Sequence, residues 1–493
     1  MAGGIISTEV QANQNYDGGN YKSALIVLTS LFFMWGFITC MNDILIPFVK
    51  KVFELDRFTS MLVQFAFFGA YFVGSVIYFM ISFFWGDPIT KIGYKNGLLL
   101  GLIISAIACA MFFPAAQMKL YGLFLVALFV MGIGFTLLQI AANPYVALLG
   151  KPETASSRLN LSQAFNSFGT TIAPIIGGFL VFHFFAKIGE PLISASGNPV
   201  LTDSGSTMSG AGVQIPYLIF AAVFLILAIV IKITKLPEFQ NNEKSEKGLG
   251  ALKFRHLNFG MIAIFVYVGA EVSIGSLFIN YAQELVGYPE MTGKSFLAFY
   301  WGGAMIGRFL GAISLNKANQ STGGYIKMAL VSVVAYLAIY FFVFIESGFT
   351  FNFMDILPFT IFLIINYLGF IIGKSLPGRT LMIFSLIIIA LLVITTLTTG
   401  HVALWAVIGI GLFNSIMWSN IFTLAIDGLG KHTSQGSSLL VMMILGGALI
   451  PIIQGAVADK MNGYQYSFFI PAICYMYLAW YGFKGHVRKM IQE

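Results

Sequence analysis

The chain has 493 residues, of which 58% are hydrophobic and only 10% are charged, with a formal net charge of +7. Soluble domains carry about 25% charged residues, so this composition excludes a soluble enzyme and predicts an integral membrane protein. The three cysteines, Cys40, Cys109 and Cys474, fall within apolar segments and show no metal-ligand spacing. We therefore expect no disulfide framework, no metal site and no cofactor.

Hydropathy along the chain predicts fourteen membrane segments, each near the ~20 residues that span ~30 Å of hydrocarbon. They lie at about 24–50, 59–84, 97–115, 120–149, 159–186, 214–234, 257–283, 294–315, 324–345, 355–373, 380–399, 402–426, 434–458 and 464–483. Residues 1–23 lack the basic and apolar pattern of a signal peptide, so we expect a polar tail there.

Basic residues concentrate on one side of these segments. With the amino terminus placed in the cytoplasm, twenty of the 27 Lys and Arg residues fall on the cytoplasmic side. Such a bias sets membrane orientation, so we expect a protein of the cell inner membrane with both termini in the cytoplasm. The positive charge is then explained without a nucleic-acid partner.

Two repeated motifs divide the chain into related halves. Gly169–Gly178 and Gly446–Gly455 both fit G-x4-P-I-I-x-G and start 277 residues apart. Gly69–Gly74 and Gly302–Gly307 resemble each other at an offset of only 233. The 44 additional residues in the second half correspond to about two spans of ~20 residues. Paired halves usually enclose a binding site and alternate access to it between the two sides of the membrane.

The fold class that this pattern predicts is all-α and integral to the membrane. It consists of two pseudo-symmetric six-helix bundles and an inserted helical pair, which we place at 324–373 and expect to be peripheral because it carries no acid between Tyr325 and Ile345. The predicted domains are a tail at 1–23, a first bundle at 24–235, a linker at 236–256, a second bundle at 257–483 and a tail at 484–493.

Two acids lie inside the leading segments of the two halves, Asp43 in the first and Glu271 in the second. An ionised carboxylate in hydrocarbon costs at least ~3 kcal/mol, so each should face a cavity, find a partner or be protonated. We interpret both as cation-coupling residues. The alternatives are solvation of Asp43 at the outer mouth and a structural role for Glu271 at the interface of the halves.

Amides pair along helical faces in the same regions. Gln139 and Asn143 are four residues apart on the fourth segment, and Gln163 and Asn166 are three apart on the fifth, so each pair shares a face. Amides both donate and accept hydrogen bonds, which suits sugar hydroxyls, whereas an aromatic plane suits the apolar face of a pyranose. The alternative is interhelical hydrogen bonding. The candidate substrate-binding residues are Asn42, Gln139, Asn143, Gln163, Asn166, Asn414 and Trp418.

Over nearly its whole length the sequence resembles the fucose–galactose–glucose:cation symporter family of the major facilitator superfamily. The resemblance rests on residues 32–43, 137–150, 158–169, 267–276, 403–417 and 428–438. It implies a core of twelve helices and uptake of a neutral hexose driven by a cation gradient. The superfamily's loop motif is present at 86–95, with Thr90 where Asp is usual.

The resemblance also bears on individual site residues. Asp43 matches the acid in the family's first helix that is tied to coupling. Fucose-type members carry Glu at the position of Gln139 and Gln at that of Glu271, and the exchange here resembles the glucose/galactose type. It implies a glucose or galactose transporter, with L-fucose or another hexose as the alternative. The ion is expected to be a proton, with sodium as the alternative.

Other function classes fit the sequence less well. A non-transporting membrane sensor could lose its coupling acid, yet Asp43 is present, and a drug exporter predicts a more apolar cavity. A membrane enzyme is disfavoured because the sequence has no P-loop, HExxH motif or serine elbow with a plausible base. We expect a monomer whose partners are the hexose, the cation and the bilayer.

Overall fold

The structure is a computed structural model that describes residues 21–55, 57–185, 188, 199, 209–237 and 247–488. Most of the predicted tail at 1–23 lies outside these residues, as do 238–246 of the predicted linker and 489–493 of the second tail. The described chain is mostly helical.

The helices of the first half are α1 Lys22–Phe53, α2 Arg57–Trp85, α3 Pro88–Ile92, α4 Tyr94–Met118, α5 Tyr121–Leu148, α6 Ala155–Phe179 and α7 Ala211–Ile233. Those of the second half are α8 Arg255–Val286, α9 Glu290–Ser314, α10 Thr322–Glu346, α11 Leu357–Gly373, α12 Pro377–Leu397, α13 Gly400–Asn414, α14 Met417–Ile426, α15 Thr433–Met442, α16 Gly446–Lys460 and α17 Phe469–Trp480. The pairs α13–α14 and α15–α16 each form one membrane span.

Twelve spans within the described residues are long and apolar enough to cross a membrane. The other two predicted segments form helices where the structure describes them, but these helices do not reach the length and hydropathy that define the twelve spans. Segment 159–186 corresponds to α6, which carries many hydroxyl and amide side chains and packs between α1 and α9. Segment 464–483 corresponds to α17, which has only 12 residues of regular helix between a 3-10 turn and a π turn.

Helix packing repeats between the halves, and this confirms the predicted fold class. In the first half α1 packs against α6, α2 against α5 and α4 against α7; in the second, α8 packs against α16, α9 against α13 and α12 against α17. The repeated glycines explain why. A side chain at Gly169 would overlap the Phe33 carbonyl of α1, and one at Gly446 would overlap the Phe265 carbonyl of α8. Each motif therefore permits close contact between the first and fifth core helices of its half.

The inserted pair consists of α10 and α11, which pack on the second bundle from outside. α10 contacts α9 and exposes a row of apolar residues, among them Ile326 at 63% and Leu330 at 64%, as a helix facing lipid should. α11 packs against α12 and α13, with Phe359 and Asn366 fully buried. α11 also exposes apolar residues, among them Ile361 at 59% and Ile364 at 57%, so each helix of the pair has one face on the bundle and one face turned outward.

With α6 and α17 counted as spans, successive spans run in opposite directions, and their even number returns the described chain to the side on which it starts. Tyr21 and Arg488 thus lie on one side of the bundle, which we call the terminal side. The connections at 86–93, 149–154, 315–321 and 427–432 lie on the same side.

Candidate functional site

The two halves are joined by buried hydrogen bonds near the terminal side. The hydroxyl groups of Ser156 in α6 and Thr423 in α14 lie 2.6 Å apart, and the Asn160 amide donates to Asn420 Oδ1 at 3.2 Å. Ser156, Asn160 and Asn420 are almost completely buried. These contacts hold α6 of the first half against α14 of the second and close the terminal side.

A second contact between the halves centres on Asp87, the N-cap residue of α3. Its Oδ1 accepts hydrogen bonds from the Tyr78 hydroxyl at 2.9 Å, from the Thr90 backbone N–H at 3.0 Å and, across the interface, from the Ser434 hydroxyl at 2.7 Å. The Asp87 side chain lies at the amino-terminal end of α15, where a negative charge is stabilised by the helix dipole. We call Asp87 and Ser434 the latch.

Sequence reasoning missed the latch because the loop motif directed attention to Thr90, the position where an acid is usual. The carboxylate is supplied instead by Asp87, which directly follows the first glycine of the motif, Gly86. The neighbouring Gln435 adds to the contact: its amide donates to Ser82 Oγ at 3.1 Å and to the Gly248 carbonyl at 2.9 Å.

The latch predicts a measurable change in conformational equilibrium. Ser434→Ala removes one hydrogen bond to a charged group, worth about 1.5–3 kcal/mol, and lowers the ratio of molecules closed to molecules open on the terminal side roughly tenfold or more. Distances between spin labels at the exposed positions Glu153 and Lys317 measure that ratio. Thr90→Val, which removes only a local contact with Asp87, is the matched control. Equal distance distributions for Ser434→Ala and Thr90→Val would show that the latch does not hold the closed state.

Polar side chains of the first half form a buried cluster between α1, α2 and α5. The Trp35 indole N–H donates to the Tyr71 hydroxyl at 3.4 Å, and the same hydroxyl interacts with Thr39 and Gln139. Trp35, Tyr71 and Gln139 are each less than a tenth exposed. The cluster therefore offers hydroxyl, indole and amide groups at one place inside the membrane.

Of the four predicted amides on α5 and α6, three are connected to one another. Asn143 Nδ2 donates to the Gln139 carbonyl at 3.0 Å, and Gln163 Nε2 donates to Asn143 Oδ1 at 3.4 Å. Asn166 differs, since its Nδ2 donates to the Phe32 carbonyl of α1 at 2.9 Å. The first-half cluster thus comprises Trp35, Thr39, Tyr71, Gln139, Asn143 and Gln163.

Asn42 and Asp43 fall within α1, but their side chains lie outside the described part of the structure. Along the helix, Asp43 follows Thr39 of the first-half cluster by four residues, which is about one turn.

In the second half, a helix break stands beside the predicted residues. α13 ends at Asn414 and α14 begins at Met417, with no proline at the break. The Asn414 amide donates to the Tyr300 hydroxyl at 3.0 Å and accepts from the Tyr475 hydroxyl at 2.5 Å. Both ends of the Asn414 side chain are therefore engaged, and it bridges α9, α13 and α17.

Trp418 lies on α14 just after the break. Its ring stacks on Phe422 with 6.1 Å between centroids, and it is 8% exposed. Among the described residues, its indole N–H has no hydrogen-bond partner. A buried donor without a partner is costly, so this N–H is available to a ligand or water.

Glu271 is partnered by an arginine from the neighbouring helix. Arg308 Nη2 lies 3.9 Å from Glu271 Oε1, and the two side chains are 14% and 11% exposed. Arg308 Nε donates to the Ser415 carbonyl at 3.2 Å, and its Nη1 donates to Ser167 Oγ of the first half. Arg308 therefore connects the second-half acid, the helix break and the first half.

Sequence reasoning missed Arg308, although a signal was present. It is the only charged residue inside segment 294–315 apart from Lys294 at the edge. A count of positive charges by side overlooks Arg308, whereas an ionisable residue inside a span is itself a functional candidate.

The break itself is held by side chains of neighbouring helices. An interrupted helix leaves carbonyl groups without their usual N–H partners. Besides the bond from Arg308 to Ser415, the Tyr267 hydroxyl reaches the Asn414 carbonyl at 3.5 Å. A side chain inserted into the backbone ladder is a recognised cause of a helix kink.

Comparison with known proteins places the chain in a class. Residues 23–373 match the Major Facilitator Superfamily. The chain therefore belongs to this superfamily of membrane transporters, and the prediction of a multi-pass transporter rather than an enzyme is confirmed.

Relatives within the superfamily extend over nearly the whole chain. A protein named glucose/galactose transporter from Brucella abortus (strain 2308) is 44% identical over 94% of this chain and 95% of its own length. A putative glucose/galactose transporter from Helicobacter pylori (strain J99 / ATCC 700824) is 38% identical over 94% of this chain and 97% of its own. The L-fucose-proton symporter of Escherichia coli (strain K12) is 31% identical over 96% of each. The resemblance to the fucose–galactose–glucose:cation symporter family is confirmed.

A solved structure supports the same fold. A crystal structure of the major facilitator superfamily transporter FucP, in the outward conformation, matches with a TM-score of 0.72 and 29% identity, covering 94% of this chain and 99% of that one.

Proposed function

We propose that this protein is a secondary active transporter that imports a neutral hexose, glucose or galactose, together with a proton. The observation that carries the proposal is the 44% identity, over 94% of the chain, to a protein named glucose/galactose transporter. The proton as coupling ion is supported by the relative named L-fucose-proton symporter. Sodium is the alternative ion.

Glucose or galactose is favoured over L-fucose for two reasons. The relatives named for glucose and galactose are 44% and 38% identical, against 31% for the fucose symporter of Escherichia coli. Gln139 and Glu271 also show the exchange of acid and amide that resembles the glucose/galactose type.

The terminal side is assigned to the cytoplasm of a cell inner membrane, where the excess of Lys and Arg supports it. The domains remain as proposed from the sequence: tails at 1–23 and 484–493, bundles at 24–235 and 257–483, and a linker at 236–256 that contains the described residues 247–256. With this orientation, the closed terminal side gives an outward-facing conformation. We propose that the protein acts as a monomer.

Two acids and one arginine are proposed to couple cation binding to transport. Asp43 and Glu271 are the proposed cation-coupling groups, one in the leading helix of each half. While Glu271 is ionised, it attracts Arg308 across 3.9 Å. A proton on Glu271 removes this attraction, and Arg308 then keeps only its hydrogen bonds to Ser415 and Ser167. Ser167 belongs to the opposite half, and its contact with Arg308 must change when the halves move relative to each other. The protonation state of Glu271 therefore influences a contact between the halves.

Sugar contacts are assigned to the polar residues that the sequence predicts for this role. In the first half, Asn42, Gln139, Asn143, Gln163 and Asn166 would bind hydroxyl groups. Trp418 would stack on the ring and use its unpartnered N–H. Asn414 is assigned a supporting role, because Tyr300 and Tyr475 already occupy its amide.

The direct test is a panel of uptake measurements in membrane vesicles. Glucose, galactose, L-fucose and mannose are each supplied with and without sodium at two pH values. We expect glucose and galactose to accumulate, faster at the lower external pH and independently of sodium. Accumulation that requires sodium would replace the proton by sodium, and failure of all four sugars to enter would contradict the proposal.

A further inference from the structure

A third carbonyl group at the break, after those of Asn414 and Ser415, accepts a hydrogen bond from a side chain of another helix. The Leu412 carbonyl lies within the last turn before the break, where the helix no longer supplies an N–H four residues on. It accepts a hydrogen bond from Asn366 Nδ2 of α11 at 3.2 Å. Both residues are fully buried. A helix of the inserted pair therefore completes the hydrogen bonding of the break.

Close packing accompanies this bond. An ideal Cβ placed on Gly409 of α13 would lie 2.7 Å from the ring of Phe362 in α11, so only glycine permits the observed approach. An ideal Cβ on Gly303 of α9 would meet both the Leu412 backbone and the ring of Phe359, at 3.1 Å from each. α11 thus rests directly on the backbone of α13 and reaches the contact between α9 and α13.

We propose that Asn366 is a positioning residue for the transport site, so that the inserted pair sets the geometry of the break between α13 and α14. This inference rests on the proposed function. Leu412 precedes Asn414 by two residues and Ser415 by three, and Arg308 holds the Ser415 carbonyl. A displacement of the Leu412 carbonyl therefore also moves Asn414 and Ser415. These two residues make the contacts with Tyr300, Tyr475 and Arg308.

A merely structural role for the inserted pair makes a different prediction. If α10 and α11 only cover the second bundle against lipid, loss of any one of their hydrogen bonds lowers thermal stability and leaves sugar affinity unchanged. A matched bond within the pair exists for comparison: the Tyr367 hydroxyl of α11 donates to the Tyr325 carbonyl of α10 at 3.1 Å.

The test compares Asn366→Leu with Tyr367→Phe in the purified full-length protein. Equilibrium binding of galactose is measured together with the melting temperature. We expect Asn366→Leu to weaken galactose binding about threefold or more, the ratio that one hydrogen bond between membrane helices supplies. Tyr367→Phe should alter the melting temperature without changing the affinity. Equal affinities for Asn366→Leu and wild type would overturn the inference.

A second pair of variants covers the case in which Asn366→Leu does not fold. Gly409→Ala forces α11 away from α13 while every polar group remains, and Phe362→Ala in the same chain removes the ring atoms that the added methyl group would meet. We expect Gly409→Ala to weaken galactose binding and the double variant to restore it. Unchanged affinity in Gly409→Ala would contradict the inference. If wild type itself bound no hexose, the proposed function would fail instead.

Discussion

Replacement of Arg308 by methionine will abolish concentrative hexose uptake and lower the thermal stability of the purified protein. Methionine keeps much of the side chain's length but removes the charge that faces Glu271 at 3.9 Å and the bonds to Ser415 and Ser167. Removing one partner of a buried ion pair costs about 3–5 kcal/mol, because the other charge stays buried without compensation. We expect at least about 1.4 kcal/mol of this cost to appear in the transport barrier as well, which lowers initial uptake rates by a factor of ten or more.

Two further variants serve as controls for Arg308→Met. Arg255→Gln removes an exposed arginine from the start of α8, where its guanidinium lies 5.0 Å from the Phe259 ring, and should leave uptake nearly unchanged. Glu271→Gln combined with Arg308→Met removes both charges and should recover most of the stability but not the accumulation. Normal accumulation by Arg308→Met would refute the proposed link between Glu271, the break and the first half.

Asp43→Asn will separate sugar movement from its driving force. An amide cannot exchange a proton near neutral pH, so we expect accumulation against a gradient to be lost. Exchange of labelled for unlabelled galactose across the membrane should continue, because the fully loaded carrier need not release its proton. The measurement is uptake driven by an imposed pH gradient, compared with counterflow in the same vesicles.

The control for Asp43→Asn is Asp459→Asn, which removes an exposed acid at the end of α16. It should accumulate galactose as wild type does. If Asp43→Asn also retained accumulation with its pH dependence intact, the coupling role of Asp43 would be wrong. Glu271 would then be the remaining acid for coupling.

The overall arrangement of the molecule could be predicted because it depends on patterns that repeat along the chain. Gly169 and Gly446 mark equivalent helix contacts because close approach of two backbones needs a residue without a side chain, and this requirement is visible in sequence. The change of offset between the repeated motifs placed the inserted pair at 324–373, and α10 and α11 occupy that region.

The partners within the site could not be predicted in the same way. The pairing of Glu271 with Arg308, and of Asp87 with Ser434, depends on which faces of separate helices meet, and no periodic pattern encodes this. The amides illustrate the same limit. Helical spacing places Gln139 and Asn143 on one face, yet the neighbouring helices decide that Asn166 bonds the α1 backbone and that tyrosines occupy Asn414.

The break between α13 and α14 also escaped prediction. Its sequence carries neither a proline nor a glycine at Ser415 and Ile416. The interruption is stabilised by side chains from α8, α9 and α11, which satisfy the carbonyl groups that it frees. Only the assembled bundle supplies these donors.

Coupled movement of hexose and proton is tested most directly with purified protein in liposomes that contain a trapped pH-sensitive dye. No pH or voltage gradient is imposed, and galactose is added outside. The account predicts that the interior acidifies on addition of galactose, without sodium, and that neither mannitol nor the Asp43→Asn variant produces the signal. Entry of labelled galactose with no change of internal pH would contradict it.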